Sequence, residues 1–224
     1  MSDLCLVHGA WHDDMCWEPL LAQLRARGHH CVAPLLPLDD LEATFEDYAR
    51  VVADEVRAAG LASPVLVGHS MSSAVIPLLA RECDARMLVY LCPAMAGFPP
   101  LSGEPDYRRA GYQPPPVDAD GSSWWPRERA IDELYGRLEH DVASRLADRL
   151  RPQPRAPFDA PYPLQAPPDT HSLFLYARED ELFDDNWSRW IAQAMLGVEP
   201  RELPSGHFPM LEQTALLADE LERG

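Results

Sequence analysis

Four short runs of consecutive apolar residues punctuate the first half of this chain: Leu4-Cys5-Leu6-Val7, Cys31 to Leu36, Pro64-Val65-Leu66-Val67 and Met87 to Cys92. Runs this short and this unbroken fit strands buried on both faces, which is the pattern of a parallel sheet rather than a half-solvated one. Helix-spaced apolar positions lie between them. Trp17, Leu20, Leu21 and Leu24 form one apolar face, stopped at Gly28; Leu41, Phe45, Tyr48, Val52 and Val56 form another, closed by Gly60. Strand and helix alternate through the fourth run, so a parallel sheet with right-handed crossovers is the natural packing.

The third run ends in Gly68-His69-Ser70-Met71-Ser72 and leads into a helix-like stretch, Met71 to Ala80, which Pro77 should kink. A β-branched run that ends in Gly-x-Ser and opens a helix reads as a nucleophile elbow, with a serine hydroxyl held at the strand end above a helix N-terminus. Ser72 stands where the second glycine of G-x-S-x-G would be. The plain alternative for Ser70 is a helix cap, a role serine favours.

Beyond the fourth strand the composition changes. Fifteen of the 23 prolines fall between Pro93 and Pro168. Such density suits extended connections. One helical block interrupts it, Arg127 to Leu150, with Ile131, Leu134, Leu138, Val142, Leu146 and Leu150 at helical spacing. The expectation is one domain over residues 1–224, with an insertion at about 93–168 folding over the sheet edge as a lid. Trp124-Trp125 at its centre either line a pocket or anchor the lid. The sheet resumes with His171 to Tyr176 and the acidic turn Arg178-Glu179-Asp180-Glu181. A helix from about Asn186 to Leu196, a short strand around Glu202-Leu203, the loop Ser205-Gly206-His207-Phe208-Pro209-Met210 and a helix from about Leu211 to Leu221 complete the chain.

A formal net charge of −17 argues against nucleic acid or anionic membrane as partners. No apolar stretch is long enough to span a bilayer. The N-terminus runs into its first strand without a basic region, so no signal peptide is expected and the location expected is cytoplasmic. Five scattered cysteines, with no C-x-x-C and no zinc-type spacing, suit free thiols and no metal. The partner expected is a small-molecule substrate, and a homodimer stays open.

Three residues fall at the C-terminal ends of expected parallel strands, where ligands bind in such sheets: Ser70, Asp180 and His207. A serine hydroxyl needs a base to take its proton; histidine is the usual one near neutral pH, and a carboxylate fixes its tautomer. A developing oxyanion needs donors. The N–H of Met71 offers one, and that of Ala10 or Trp11, after His8-Gly9, the other. His8 suits a structural role in that loop. His12 and His69 fit pocket lining or a supporting position equally, and Cys92 fits a buried inert thiol.

Together, Leu6-Val7-His8-Gly9-Ala10-Trp11, Gly68-His69-Ser70-Met71, Leu88-Val89-Tyr90-Leu91, Arg178-Glu179-Asp180 and Gly206-His207-Phe208-Pro209-Met210-Leu211 resemble the α/β-hydrolase fold superfamily. More narrowly, they resemble its small plant-type esterase and hydroxynitrile lyase branch with its bacterial relatives. The resemblance implies an α/β-hydrolase fold: about six parallel strands with helices on both faces, a lid after the fourth strand, and no initial antiparallel hairpin. It implies Ser70 as nucleophile, His207 as base, Asp180 as acid, and a site without cofactor. The chain departs from the pattern at Ser72 and at Cys92, where members often carry aspartate. The leading expectation is a serine hydrolase of carboxylic esters or related acyl compounds working through an acyl-enzyme. Non-hydrolytic use of the same site, as a lyase, cyclase or acyl-transfer step, is the alternative, and a silent ligand-binding protein the third.

Overall fold

The computed structural model describes residues 1–224. Its centre is a six-stranded sheet in the order β2-β1-β3-β4-β5-β6, parallel throughout. The strands are β1 (Asp3–Val7), β2 (His30–Val32), β3 (Val65–His69), β4 (Met87–Leu91), β5 (Ser172–Ala177) and β6 (Arg201–Leu203). β3 and β4, at the middle of the sheet, are buried along their whole length, which is why they read as unbroken apolar runs. Strand order reverses at β1/β3, where Val7 pairs with Gly68. The loop beginning at His8 and the turn at Ser70 therefore leave the sheet side by side, at the position where open parallel sheets bind ligands.

Each right-handed crossover leaves its helix on a side set by the direction of travel. α1 (Glu18–Ala26) lies on one face with α8 (Pro209–Glu212) and α9 (Thr214–Arg223); α2 (Phe45–Ala58) and α3 (Ile76–Leu79) pack together on the other. Gly28 and Gly60 sit just past α1 and α2 at φ of 88° and 69°, left-handed stops that glycine alone takes without strain. No helix is long and apolar enough to cross a membrane.

Several elements differ from their sequence expectation. The second strand stops at Val32, because Pro34 has no N–H for a ladder bond. Leu41 is exposed and precedes α2, which starts at a capping box formed by Thr44 and Asp47. The elbow helix is a 3-10 turn, Ser70–Ala74, followed by α3; Pro77 lies in the first turn of α3, where a missing N–H leaves no bond unmade, so it kinks nothing. The block 127–150 is two helices, α4 (Arg127–Glu133) and α5 (His140–Ala147). Between them Gly136 passes so close to α4 that a Cβ there would lie 2.5 Å from the Asp132 carbonyl oxygen. α7 (Asp185–Ile191) continues as a π-helical turn, Ala192–Leu196. The last helix is divided at Gln213 into α8 and α9.

The segment between β4 and β5 carries α4, α5 and the short α6 (Ala156–Asp159). It is tied to the loops at the strand C-termini: the Arg151 N–H donates to Trp11 O (2.7 Å) and the Arg109 N–H to Leu182 O (2.9 Å).

Gly68 is the glycine the sheet end cannot replace. A Cβ on it would lie 2.5 Å from the carbonyl oxygen of Ser72, a backbone atom of the turn above. Gly68→Ala is expected to cost about 1–3 kcal/mol, the range for forcing a methyl into a filled site, read as a lowered urea midpoint with unchanged slope.

Candidate active site

Ser70 holds φ at 50°, a left-handed conformation uncommon for a residue with a side chain, and it persists because its surroundings over-determine it. From below, Gly68 lets the Ser72 carbonyl settle onto β3. From one side, the buried Ser72 hydroxyl donates to His8 O, at the end of β1. From the other, the Ala94 N–H donates to Ser70 O (3.1 Å), and Ser73 Oγ accepts the Met95 N–H (2.9 Å). The turn is thus bonded both to the loop after β1 and to the loop after β4.

His207 and Asp180 meet across the ends of β5 and β6. Nδ1 of His207 donates to Asp180 Oδ2 at 2.8 Å, with both side chains buried. The other carboxylate oxygen accepts the N–H groups of Leu182 (2.8 Å) and Phe183 (3.0 Å), so the turn itself aims the carboxylate. The flanking acids are spent elsewhere. Glu179 pairs with Arg137, while Glu181 accepts the backbone N–H of His207 (2.9 Å), and burial pushes its carboxyl above the usual range. Gly206 makes this possible, since a Cβ there would lie 2.5 Å from Glu181 Oε1. Ser70, His207, His12 and His69 line one small cavity together with Ala10 and Trp11.

Three further imidazoles surround the pair, each locked neutral. Nδ1 of His8 donates to Gly9 O and its Nε2 accepts the Leu36 N–H; Nδ1 of His12 donates to Ala10 O and its Nε2 accepts the Tyr135 hydroxyl (2.6 Å). Burial pushes both down to about 4. His69 donates through Nε2 to His207 O (2.9 Å), its bare Nδ1 is sealed under Gly9, and burial holds it well below the usual histidine range. His207 Nε2 has no bond within the chain, and His207 lines the same cavity as Ser70.

The N–H groups of Ala10 and Trp11 donate to nothing within the chain, and Met71 stands at the start of a helical turn, where N–H groups lack intrahelical partners. Trp11 sits at φ 64°, held by the Arg151 N–H on its carbonyl and by its indole N–H on Ser123 Oγ (3.0 Å). A cavity of about 280 Å³ opens beside Ser70 and Met71, walled by Tyr107, Tyr112, Phe158 and Phe183.

Trp124 and Trp125 line neither of these cavities, which corrects the pocket-lining alternative. Trp125 is buried edge-on against Trp11 (centroids 5.9 Å apart) beneath the Arg129 guanidinium, and Trp124 is partly exposed with its indole N–H on Asp118. Trp125 anchors the segment over the loop carrying Trp11, while Trp124 bonds only within the segment. Cys92 is buried near Asp180 and His207, its sulfur, the Asp180 carboxylate and the His207 ring lying within 4.8 Å of one another. Burial, and then the Asp180 charge, push its thiol well above the ordinary value, so it stands as a neutral thiol, and the Asp180 oxygens are already taken by N–H donors. This donor set suits proton chemistry better than a metal ion.

Sequence reading missed Tyr135, which holds His12, and the Tyr107, Phe158 and Phe183 walls; only Leu182-Phe183, directly after the acidic turn, carried a signal.

A model of the alpha/beta hydrolase family matches residues 6–220. The chain belongs to that family. A carbendazim-hydrolyzing esterase of Nocardioides sp. is 35% identical over 100 residues, a stretch spanning 41% of either chain. A pyrethroid hydrolase of Sphingobium wenxiniae is 27% identical over 99% of this chain and 86% of its own. Among solved structures, a methylesterase from Arabidopsis superposes with a TM-score of 0.77 at 18% identity, covering 100% of this chain and 98% of that one. The α/β-hydrolase fold and the resemblance to plant-type esterases are thereby shown.

The neutral histidines of this hydrolase make its stability depend on pH. His8 and His12 stay uncharged in the fold down to about 4 but protonate near 6.5 when unfolded, so their contribution is complete above about pH 6.5 and is lost as pH falls toward about 4. Each is worth up to about 3 kcal/mol, and unfolding midpoints measured between neutral pH and pH ~4.5 should fall steeply, with proton uptake on unfolding. Ser72→Ala, which strips the buried hydroxyl from His8 O, should cost about 1–3 kcal/mol in the same assay at neutral pH.

Proposed function

We propose that this hydrolase cleaves carboxylic esters through Ser70, His207 and Asp180. The observation that carries the reading is the buried 2.8 Å bond from His207 Nδ1 to Asp180 Oδ2, with the other ring nitrogen free and Ser70 on the same cavity at a strained strand-to-helix turn. His207 Nε2 takes the Ser70 proton as Oγ attacks the ester carbonyl, and the Asp180 carboxylate stabilises the imidazolium that forms. The carbonyl oxygen becomes an oxyanion received by the N–H groups of Met71 and of Ala10 or Trp11; one such donor is worth roughly 3 kcal/mol. His207 then protonates the leaving alcohol. Water, deprotonated by the same nitrogen, attacks the acyl-enzyme and releases the acid with Ser70 restored. The esterase and hydrolase names of the relatives support ester cleavage, and the mainly apolar walls around Ser70, with Arg108 the one charged residue among them, support a largely apolar substrate.

Ser70→Ala is expected to lower kcat for p-nitrophenyl acetate by roughly a thousandfold or more with little change in KM, and to abolish labelling by a fluorophosphonate probe. Asp180→Asn should lower kcat heavily while leaving the labelled serine detectable. Full turnover by Ser70→Ala would remove the nucleophile assignment.

A further inference from the structure

Next to the cavity at Ser70 lies a larger hollow, of about 630 Å³ and open to solvent. It shares Ala94, Tyr107, Phe158 and Phe183 with the cavity of about 280 Å³ beside Ser70, so the two adjoin at those residues. From the placement of this hollow we infer that it is a second substrate subsite, built to take a large uncharged apolar arm of an ester cleaved at Ser70. The inference rests on the ester-cleaving reading above.

The near wall hangs from the nucleophile turn itself. Ala94 donates its N–H to Ser70 O (3.1 Å) and Met95 donates its N–H to Ser73 Oγ (2.9 Å). Farther along, Tyr162 donates its hydroxyl to Ala74 O (2.7 Å) and lays its ring against Gly97. Gly97 holds φ at 87°, and a Cβ there would lie 2.6 Å from that ring, so the close contact exists only because the residue is glycine. Residues 94–97 therefore cannot swing away from Ser70 without breaking two hydrogen bonds to the turn and the packing of Gly97 on Tyr162. A ligand resting on this wall rests on a segment bonded directly to the turn that holds Ser70.

The far wall comes from α7 and the π-helical turn: Trp187, Ile191 and Met195. Methionines on both walls, Met95 and Met195, can adapt to irregular apolar shapes. The hollow contains a single charged side chain, Glu104, and both its oxygens are engaged, one by the Trp187 indole N–H (2.9 Å) and one by the Leu101 N–H (3.1 Å). Its charge opposes a carboxylate-bearing ligand. The volume lies in the range of sites that hold drug-sized ligands, and apolar walls with one fixed polar group are how such sites select a bulky neutral occupant.

The test compares small and large esters on both sides of the scissile bond: p-nitrophenyl acetate against p-nitrophenyl decanoate, and ethyl acetate against decyl acetate. Met195→Trp fills the hollow from the far wall, and the milder Ala96→Leu fills it from the near one. In at least one series, both variants should lower the ratio of kcat/KM for the large ester to that for the small ester by roughly tenfold or more relative to wild type. A ratio unchanged in both series, or a parallel fall for large and small esters, overturns the inference. Nile red titration gives a readout independent of chemistry: the neutral dye should bind wild type and Ser70→Ala alike and bind Met195→Trp roughly tenfold more weakly. Equal binding by wild type and Met195→Trp also overturns it. Intact turnover by Ser70→Ala with Nile red binding still lost in Met195→Trp would instead fault the ester reading and leave the apolar hollow standing.

Discussion

The close approach of the Ser72 carbonyl to Gly68 is the contact on which the rest of the site depends. It lets the chain reverse from β3 into a helical turn within a few residues, and that reversal forces Ser70 to φ 50°. A left-handed serine costs free energy, so the neighbours must hold it. They do so from both flanks, through the Ser72 hydroxyl on His8 O and the Ala94 N–H on Ser70 O. The serine that breaks the G-x-S-x-G pattern is therefore part of the scaffold. It supplies a bond from the turn holding Ser70 to the loop whose Ala10 and Trp11 line the same cavity, a link glycine has no side chain to make.

A second constraint is electrostatic. Four imidazoles crowd the site, and their bonding makes them unequal. Bonding fixes the tautomers of His8, His12 and His69, and burial keeps them uncharged. Only His207 pairs a carboxylate on one nitrogen with a free lone pair on the other. The segment between β4 and β5 takes part in this order: Tyr135 holds His12, Arg151 holds Trp11, and Arg137 ties Glu179 and Glu212 together behind the loop carrying His207.

The parallel sheet was legible because β1, β3 and β4 are buried on both faces and so leave unbroken apolar runs. The glycines at 28, 60, 68 and 206 were legible because positive φ at 28 and 60, a close backbone carbonyl at 68 and the Glu181 side chain at 206 each disfavour a side chain there. Ser70, Asp180 and His207 stood out for a related reason: each follows a strand end, where a parallel sheet collects its functional groups. Helix lengths read less well. Gly136 and Gln213 break two apparently continuous helices by local backbone geometry that apolar spacing does not encode.

The sequence by itself determined the sheet, its direction, and which residue types stand at the strand ends, because burial periodicity and glycine stereochemistry are local properties of the chain. It could not say that Trp125 serves Trp11 instead of a ligand, that His69 faces the His207 carbonyl, or that two apolar hollows meet beside Ser70. Those outcomes were decided only by the tertiary structure. They depend on contacts between residues many positions apart, made where a proline-rich segment without strong periodicity settles on the strand ends.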